Sequence, residues 1–401
     1  MSLLRTRTAL APMRRDAILA PRVLPSVDDL IAVERPAEPL HCLRPASIAD
    51  AARGFVASFP GDVLYAVKCN PDPSVLRALW AGGVRHFDCA SAGEVSLVRA
   101  LFPDAGIHFM HPVKSRAAIA QAFFRDGVRD FVLDSAEELA KILAETQHAD
   151  DLGLVVRLAL PKGPAVYDLS GKFGALPDDA VALLRAARPM ARRLGVSFHV
   201  GSQCLDPLAW RHAMALAGRV IAAAGVAIEV IDVGGGFPVA YPDVEPPPLG
   251  AIIAEIEAGF DALDLPEGTA LWAEPGRALV AGGVSVVVQV QARRGDALFL
   301  NDGVYGSLSD AGAPRFRFPV RLVRPDAPAP SWHLAPFRFF GPTCDSADAM
   351  AGPFFLPEDA AEGDWIEIGQ LGAYGACLRT AFNGFDRARI AEVRDRPMLD
   401  A

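Results

Sequence analysis

Lysine is rare in this chain of 401 residues, which contains 34 arginines and five lysines: Lys68, Lys114, Lys141, Lys162 and Lys172. A lysine amine can form an imine with an aldehyde once its pKa is lowered, whereas an arginine guanidinium stays protonated. Lys68 ends a predicted strand in Tyr65–Lys68, so it is the candidate for imine chemistry with an aldehyde cofactor. The plain alternative is a surface lysine in a loop.

Other chemically useful residues also follow apolar strands. Glycines 234–236 and the pair Gly276–Arg277 come after two successive strands, and glycine N–H groups can converge on a phosphate there. Glu274 must be paired if it is buried, either with a cationic ring nitrogen or in a structural salt bridge. His199 could be a ligand, a base, a stacked ring or a satisfied core histidine. The eight histidines show no metal-ligand spacing, so we expect no catalytic metal.

The elements that position these residues alternate between strand and helix. The predicted strands are Val63–Val67, Val84–Asp88, Ile107–Met110, Asp130–Asp134, Leu154–Leu158, Val196–Val200, Ile228–Val233 and Ala270–Ala273. The predicted helices include Ser74–Trp80, Ser91–Leu101, Ser115–Phe124, Ser135–Ala144 and Asp178–Arg193, several with a capping Ser or Asp. Alternation implies parallel strands. Eight units predict an α/β fold of the (β/α)8 TIM-barrel type, with a doubly wound sheet as the alternative.

The pattern changes after about Leu279, where an all-β region begins. Its predicted strands are Val284–Gln291, Ala297–Leu300, Phe318–Leu322, Trp365–Ile368 and Ile390–Val393. We therefore expect an N-terminal segment, 1–39, that partly joins the β-domain, a barrel over 40–279, and a C-terminal β-sandwich or barrel-like domain over 280–401. Pro325–Pro330 is interpreted as a linker or surface loop.

Composition excludes several functional classes. A net charge of −9 disfavours a protein that coats nucleic acid. The sequence contains no run of about 18 apolar residues, so we expect no membrane-spanning helix. The six scattered cysteines fit a reducing cytoplasm better than a disulfide framework, so we expect a cytoplasmic protein. The first 22 residues hold five arginines, and we interpret them as a frayed terminus rather than a transit peptide.

The ordered motifs resemble the pyridoxal 5′-phosphate (PLP) dependent basic amino acid decarboxylases, which act on ornithine, lysine, arginine or diaminopimelate; alanine racemase is a more distant relative. The match runs from about Leu64 to Phe385. It is carried by Tyr-Ala-Val-Lys-Cys-Asn, Phe-Asp-Cys-Ala-Ser, Leu-Ser-Gly-Lys-Phe-Gly, His-Val-Gly-Ser-Gln, Asp-Val-Gly-Gly-Gly-Phe-Pro, Glu-Pro-Gly-Arg, Asn-Asp-Gly-Val-Tyr-Gly-Ser, Gly-Pro-Thr-Cys-Asp and Phe-Asn-Gly-Phe. The resemblance implies a barrel of the alanine racemase type plus a β-domain, in head-to-tail homodimers whose active sites lie at the interface.

The resemblance also implies roles for individual residues. Lys68 would hold PLP, Glu274 would pair with its ring nitrogen, and His199 would stack on the ring. Asp88 and Arg157 would lie near the cofactor. The phosphate would be bound by Ser202, Gly235, Gly236, Gly276, Arg277 and Tyr374.

Two further residues would come from the partner subunit: Cys344 would deliver the proton after CO2 leaves, and Asp345 would bind the distal ammonium of the substrate. Phe382 would line the pocket near the departing carboxylate, and Tyr305 would also contact the substrate. Lys172 and Asp348 would form an ion pair across the interface.

Two details bear on the substrate. Asp345 follows Cys344 as in ornithine decarboxylases, whereas diaminopimelate decarboxylases typically place Glu there. The second substrate-binding Asp of the ornithine enzymes, found within Tyr-Asp after Tyr-Gly-Ser, is absent from Ser307–Pro314, where Asp310 is the candidate replacement. His111 replaces the usual Asn before Pro-Val-Lys.

We therefore expect decarboxylation of L-ornithine, with L-lysine as a further candidate, in polyamine biosynthesis. The alternatives are a decarboxylase of diaminopimelate, arginine or carboxynorspermidine, and a catalytically inactive regulator that binds a partner protein. The presence of both Lys68 and Cys344 disfavours the regulator. A racemase would need a catalytic tyrosine in place of Cys344.

Overall fold

The computed structural model describes residues 23–163, 165–166, 171–326 and 328–399. The arginine-rich stretch 1–22, predicted to be frayed, lies outside the described residues. The described chain opens with four elements: β1 (Val23–Leu24), α1 (Val27–Glu34), β2 (Leu40–Leu43) and α2 (Pro45–Ser58).

The predicted barrel is confirmed as a closed ring of eight parallel strands. They are β3 (Asp62–Ala66), β4 (His86–Cys89), β5 (Gly106–Phe109), β6 (Asp130–Leu133), β7 (Gly153–Arg157), β8 (Arg193–Ser197), β9 (Val230–Asp232) and β10 (Ala270–Ala273). Each strand pairs with the next, and β10 closes the ring against β3. The strands are apolar over most of their length because both of their faces are covered. The eight C-terminal strand ends consequently meet at one mouth.

Helices connect the barrel strands and cover their outer face. They are α3 (Pro73–Ala81), α4 (Ala92–Leu101), α5 (Arg116–Ala120), α6 (Ala136–Glu145), α7 (Pro177–Ala187), α8 (Leu208–Ala224), α9 (Leu249–Asp261) and α10 (Arg277–Val280). Three of the four serines expected to start helices cap them: Ser91, Ser115 and Ser135 each accept a hydrogen bond from the N–H three residues on. The helix predicted from Ser74 is capped by Asp72 instead.

One predicted helix, Asp178–Arg193, is wrong in its second half. Helix α7 ends at Ala187, a short 3₁₀ turn follows, and Arg193 already opens strand β8. Pro189 lies in that turn, and it has no N–H with which to continue the helical hydrogen-bond pattern. The proline was therefore the signal for an earlier helix end.

The second unit is a nine-stranded mixed sheet. Besides β1 and β2 it contains β11 (Val284–Arg294), β12 (Ala297–Leu300), β13 (Val320–Val323), β14 (Leu334–Phe340), β15 (Ala349–Pro357), β16 (Trp365–Ile368) and β17 (Arg389–Val393). All five strands predicted after Leu279 are present. The hairpin β14–β15 was not predicted, because Pro336, Gly352 and Pro353 interrupt its pattern.

The N-terminal elements pack on this sheet. Strand β2 pairs with β11 and β17, so Leu40–Leu43 belongs to the sheet. The sheet therefore includes the first four residues of the range predicted for the barrel. Leu30 and Ile31 of α1 are fully buried against Val287 and Trp365 in a small separate core. Among the residues described, no helix has the length and apolar character needed to cross a bilayer.

Candidate active site

Lys68 lies in a short 3₁₀ turn, Val67–Cys69, directly after strand β3 at the barrel mouth. Its Nζ is 3.0 Å from Oδ2 of Asp88, a buried residue of the neighbouring strand β4. Burial alone would lower the pKa of Lys68, but the Asp88 and Glu274 carboxylates raise it above its usual value. The amine is therefore held as a cation among carboxylates and can be neutralised only when that surrounding charge changes.

His199 follows strand β8 and is deeply enclosed. The N–H of Gly201 donates to its Nδ1 at 3.0 Å, which leaves Nε2 as the protonated nitrogen of a neutral ring. Burial, followed by the positive charges of Arg157 and Lys68, lowers the pKa of His199 well below its usual value. The ring is consequently neutral at pH 7 and presents a flat apolar face.

The glycines after strand β9 sit where no larger residue fits. A Cβ on Gly236, which has φ +100°, would lie 2.4 Å from the carbonyl oxygen of Gly201. A Cβ on Gly235 would lie 2.7 Å from the carbonyl oxygen of Glu274 and 3.1 Å from His199 Nε2. These close approaches leave the glycine backbone, rather than side chains, facing the mouth.

Arg277 opens α10 beside these glycines, and its guanidinium is almost fully buried. Its Nη1 donates to the Tyr241 hydroxyl at 2.7 Å and its Nη2 to Asp310 Oδ2 at 2.9 Å. The Nε is buried without a partner among the described residues. Tyr374, from the loop after β16, places its ring 5.2 Å from the guanidinium carbon. The Tyr241 hydroxyl and the Asp310 carboxylate thus hold the Arg277 guanidinium in place, while its Nε makes no hydrogen bond to them.

These groups line one cavity of about 440 Å³ at the barrel mouth. Ten of the eleven residues predicted to bind the cofactor line it: Lys68, Arg157, His199, Ser202, Gly235, Gly236, Glu274, Gly276, Arg277 and Tyr374. The eleventh, Asp88, lies behind Lys68. Lys172 and His111 also line the cavity. The strand-end motifs identified in the sequence are therefore brought together at one place.

Cys344 and Asp345, the two residues expected from a partner subunit, form a second cluster in the β-domain with Tyr305, Phe382 and Asn383. The Tyr305 hydroxyl donates to Asp345 Oδ2 at 2.5 Å, and its ring lies 5.0 Å from that of Phe382. The Cys344 thiol and backbone N–H both contact Oδ1 of Asn383, at 3.3 and 3.2 Å. None of these five residues lines the barrel cavity of its own chain.

Asp348 is already engaged within its own chain. Its Oδ1 accepts from the Val304 N–H at 2.8 Å, and its Oδ2 accepts from the Thr343 N–H and hydroxyl at 3.1 and 2.7 Å. The side chain is 2% exposed. The predicted ion pair with Lys172 of a second subunit stays a prediction, and any such pair would be added to these three hydrogen bonds.

Asp310 was considered as a replacement for the missing substrate-binding Asp. Its carboxylate instead pairs with Arg277, and it does not line the cavity. Asp310 lies in a 3₁₀ turn, Ser309–Ala311, from which its side chain reaches Arg277 of the barrel. Asp310 therefore has a structural partner and is not a free acceptor for an amine.

Comparison with known proteins places this geometry in a family. The model for the pyridoxal-binding domain of the pyridoxal-dependent decarboxylases matches residues 46–281, and that for their C-terminal sheet domain matches 283–372. The chain belongs to the pyridoxal-phosphate-dependent decarboxylases. It is 34% identical to a lysine/ornithine decarboxylase of Selenomonas ruminantium over 84% of each chain.

Two solved decarboxylase structures share the architecture. A lysine/ornithine decarboxylase from Vibrio vulnificus, complexed with putrescine, superposes with a TM-score of 0.78 and 33% identity, covering 92% of this chain and 99% of that one. An arginine decarboxylase from Paramecium bursaria Chlorella virus gives a TM-score of 0.80 and 27% identity, with the same coverage. The protein is thus a PLP-dependent carboxy-lyase.

The decarboxylase cavity fits PLP on its own features. Its volume lies within the usual range of about 300–1,000 Å³ for small-molecule sites. Gly235 and Gly236 form a backbone cradle, and the unpartnered Nε of Arg277 can donate to a phosphate. Lys68 lines the cavity, and Oδ1 of its partner Asp88 is buried without a hydrogen-bond partner among the described residues.

Several residues of the decarboxylase site were not predicted. Asp232 opens the Asp-Val-Gly-Gly-Gly motif, and Asn383 lies inside Phe-Asn-Gly-Phe, so the motifs themselves held a signal for both. Tyr241 lies in a proline-rich stretch and gave none. Its contact with Arg277 joins positions 36 residues apart, which only the fold reveals.

Proposed function

We propose that the enzyme decarboxylates L-ornithine to putrescine and accepts L-lysine, giving cadaverine, as a step of polyamine biosynthesis. The observation that carries this proposal is the Cys344–Asp345 pair, an acid next to a carboxylate on the exposed sheet cluster. A carboxylate suits a substrate whose side chain ends in an ammonium. A cytoplasmic location is proposed as well, supported by the six described cysteines, all of them free thiols.

Asp345 is prepared to accept a cation. The N–H of Ala347, followed by the Tyr305 hydroxyl, lowers the pKa of Asp345 below its usual value. The carboxylate is therefore ionised throughout the neutral range. The ring of Phe382 beside Tyr305 supplies an apolar wall along which the methylene chain of a diamino acid can lie.

Completing the site requires a second copy of the chain. The barrel cavity of one chain is lined by neither Cys344 nor Asp345. Both lie in the β-domain, in a cluster that is open to solvent, where Phe382 is 42% exposed. We propose a head-to-tail homodimer in which the sheet cluster of each subunit closes the cavity of the other. A two-fold arrangement would create two equivalent sites from one pair of surfaces.

The roles of individual residues follow from their positions. PLP, when bound, supplies an electron-withdrawing ring that stabilises the charge left as CO2 departs. Lys68 would hold the cofactor and yield to the substrate amine, while Glu274 would face its ring nitrogen and His199 its flat face. Arg277 and the glycines would fix its phosphate. Cys344 of the other subunit would then deliver a proton to the carbon that lost CO2.

A competition experiment tests the substrate. The purified enzyme is given equal concentrations of ornithine, lysine, arginine and diaminopimelate, and the products are quantified by mass spectrometry. Putrescine should dominate, with cadaverine next. Release of agmatine, or of lysine from diaminopimelate, as the main product would contradict the proposal.

A variant pair tests the carboxylate. Asp345→Asn keeps the shape but removes the charge, and should lower kcat/KM for ornithine at least about tenfold. The matched control is Asp296→Asn, which removes an exposed carboxylate of the same sheet that pairs with Arg338. The control should leave kcat/KM unchanged. An equal effect of both variants would argue against a substrate contact at Asp345.

Mixing two inactive variants tests the shared site. Lys68→Ala and Cys344→Ala each disable one half, so dissociation and remixing should restore up to about one quarter of wild-type activity through one intact site in each mixed dimer. No recovery after verified subunit exchange would show that both residues act within one chain.

A second candidate is decarboxylation of a carboxylated polyamine or another diamino acid. The commitment of Asp310 to Arg277 favours it, because the chain then offers no second acidic residue from this loop for the distal amine. Carboxynorspermidine is added to the substrate panel for this reason. A higher kcat/KM for it than for ornithine would select this function over the first.

A further inference from the structure

Asp232 is a fully buried carboxylate that the roles above do not use. It ends strand β9, opposite Trp272 of β10, with no exposed surface. Its Oδ1 accepts from the N–H of Gly234 at 2.8 Å. Its Oδ2 is buried and accepts no hydrogen bond from the described residues. A buried carboxylate oxygen is costly without a hydrogen bond, so this oxygen calls for a proton nearby.

The Glu274 carboxyl supplies that proton. Glu274 follows β10, its N–H donates to the Gly234 carbonyl at 2.8 Å, and its carboxyl lies near enough to that of Asp232 to affect its pKa. Two carboxylates are acceptors only, so a hydrogen bond between them needs one proton. The two residues are therefore a proton-sharing pair, of which Glu274 lines the cavity and Asp232 does not.

The charges around the pair are mixed. Burial, then the Asp232 and Asp88 carboxylates, raise the pKa of Glu274 well above its usual value. Burial also raises the pKa of Asp232 to about 6, against the opposing hydrogen bonds from Gly234 and Glu274. The charged or titratable groups that face the pair come from four other strand ends or strands: Lys68, Asp88, His108 and Arg157.

We propose that Asp232 is a positioning residue that orients the Glu274 carboxyl toward the cavity and sets its ionisation through their shared proton. The proposal rests on the proposed role of Glu274 opposite the ring nitrogen of PLP. When the proton resides on Asp232 Oδ2, Glu274 is a carboxylate that accepts one hydrogen bond from Asp232 and leaves its other oxygen for the cavity. The pair then carries a single negative charge. As the pH falls through about 6, Asp232 is protonated as well and the pair loses its single negative charge.

Cofactor binding to the full-length chain, stripped of PLP, tests this directly. The dissociation constants of PLP and of its analogue with C–H in place of the ring nitrogen are measured by fluorescence titration. The wild type should prefer PLP about tenfold, since only PLP engages Glu274. Asp232→Ala should reduce this preference toward one. A merely structural defect would weaken both ligands equally and leave the preference unchanged, which would overturn the proposal.

The Asn variant provides the second test, and it remains available if the Ala variant does not fold. Asp232→Asn can still accept from Gly234 and donate to Glu274 but cannot titrate. It should keep the preference for PLP and lose the weakening of PLP binding that the wild type shows below pH about 6. An unchanged pH profile would overturn the proposal. Glu274→Ala separates the role of Asp232 from the role of Glu274. If this variant retains the wild-type preference for PLP, the proposed role of Glu274 itself is wrong.

Discussion

Replacing Gly236 by alanine should destabilise the barrel and weaken cofactor binding together, because the backbone leaves no room for a Cβ. The φ of +100° is one that residues with a side chain rarely adopt, at a cost of about 1–3 kcal/mol. The added Cβ would lie 2.4 Å from the Gly201 carbonyl oxygen and 2.8 Å from Val200 Cγ2. Relieving such overlap costs about 1–3 kcal/mol more, so the total is about 2–6 kcal/mol. That is a large part of a typical stability of about 5–15 kcal/mol.

Urea unfolding followed by circular dichroism measures the stability, and titration with PLP measures the binding. The matched control makes the same chemical change in helix α2: Gly54 has no atom within 4 Å of an added Cβ. Gly54→Ala should stabilise the protein by about 0.5–1 kcal/mol through helix propensity. A loss below about 1 kcal/mol for Gly236→Ala would refute the steric reasoning, as would equal losses for the two variants.

Three further outcomes are expected. Lys68→Ala should abolish both the visible absorbance of bound PLP and CO2 release, because it removes the amine proposed to hold the cofactor. Arg277→Lys should weaken PLP binding about tenfold, measured by titration, because a lysine cannot reproduce the guanidinium fork. Burial alone would raise the pKa of Asp130, but His108 and Arg193 lower it to about 2. Asp130→Asn should therefore cost about 2 kcal/mol of unfolding free energy at pH 7, a cost that shrinks as the pH falls from about 4 to 2.

Each of these variants has a counterpart outside the cavity. Lys141→Ala, Arg53→Lys and Asp150→Asn change the same residue types at positions that do not line it. Absorbance that persists in Lys68→Ala would exclude this lysine as the cofactor's anchor. Equal PLP affinity of the Arg277 and Arg53 variants would contradict the proposed contact between Arg277 and the phosphate. A loss in Asp130→Asn that does not vary with pH would mean that packing, not charge, is responsible.

The order of strands and helices was predictable because local patterns determine it. Ser91 and Ser135 cap their helices as their positions indicate, and the polar strand ends meet at one mouth because parallel strands share a direction. What the sequence could not supply was the pairing of side chains distant along the chain. The contacts of Asp310 with Arg277 and of Asp232 with Glu274 depend on how separate loops approach each other. The β14–β15 hairpin was hidden for a different reason, since its prolines and glycine imitate turns.

Tyr374 illustrates how far the two units are interdependent. It lies in the loop after strand β16 of the sheet, yet it lines the barrel cavity, and its N–H donates to the Cys69 carbonyl at 2.9 Å. Asn70 Nδ2 likewise donates to the Gly372 carbonyl at 2.8 Å. The sheet-domain match ends at residue 372, two residues before this tyrosine. A chain truncated at that point would keep both matched regions and still lose the Tyr374 wall of the cofactor cavity.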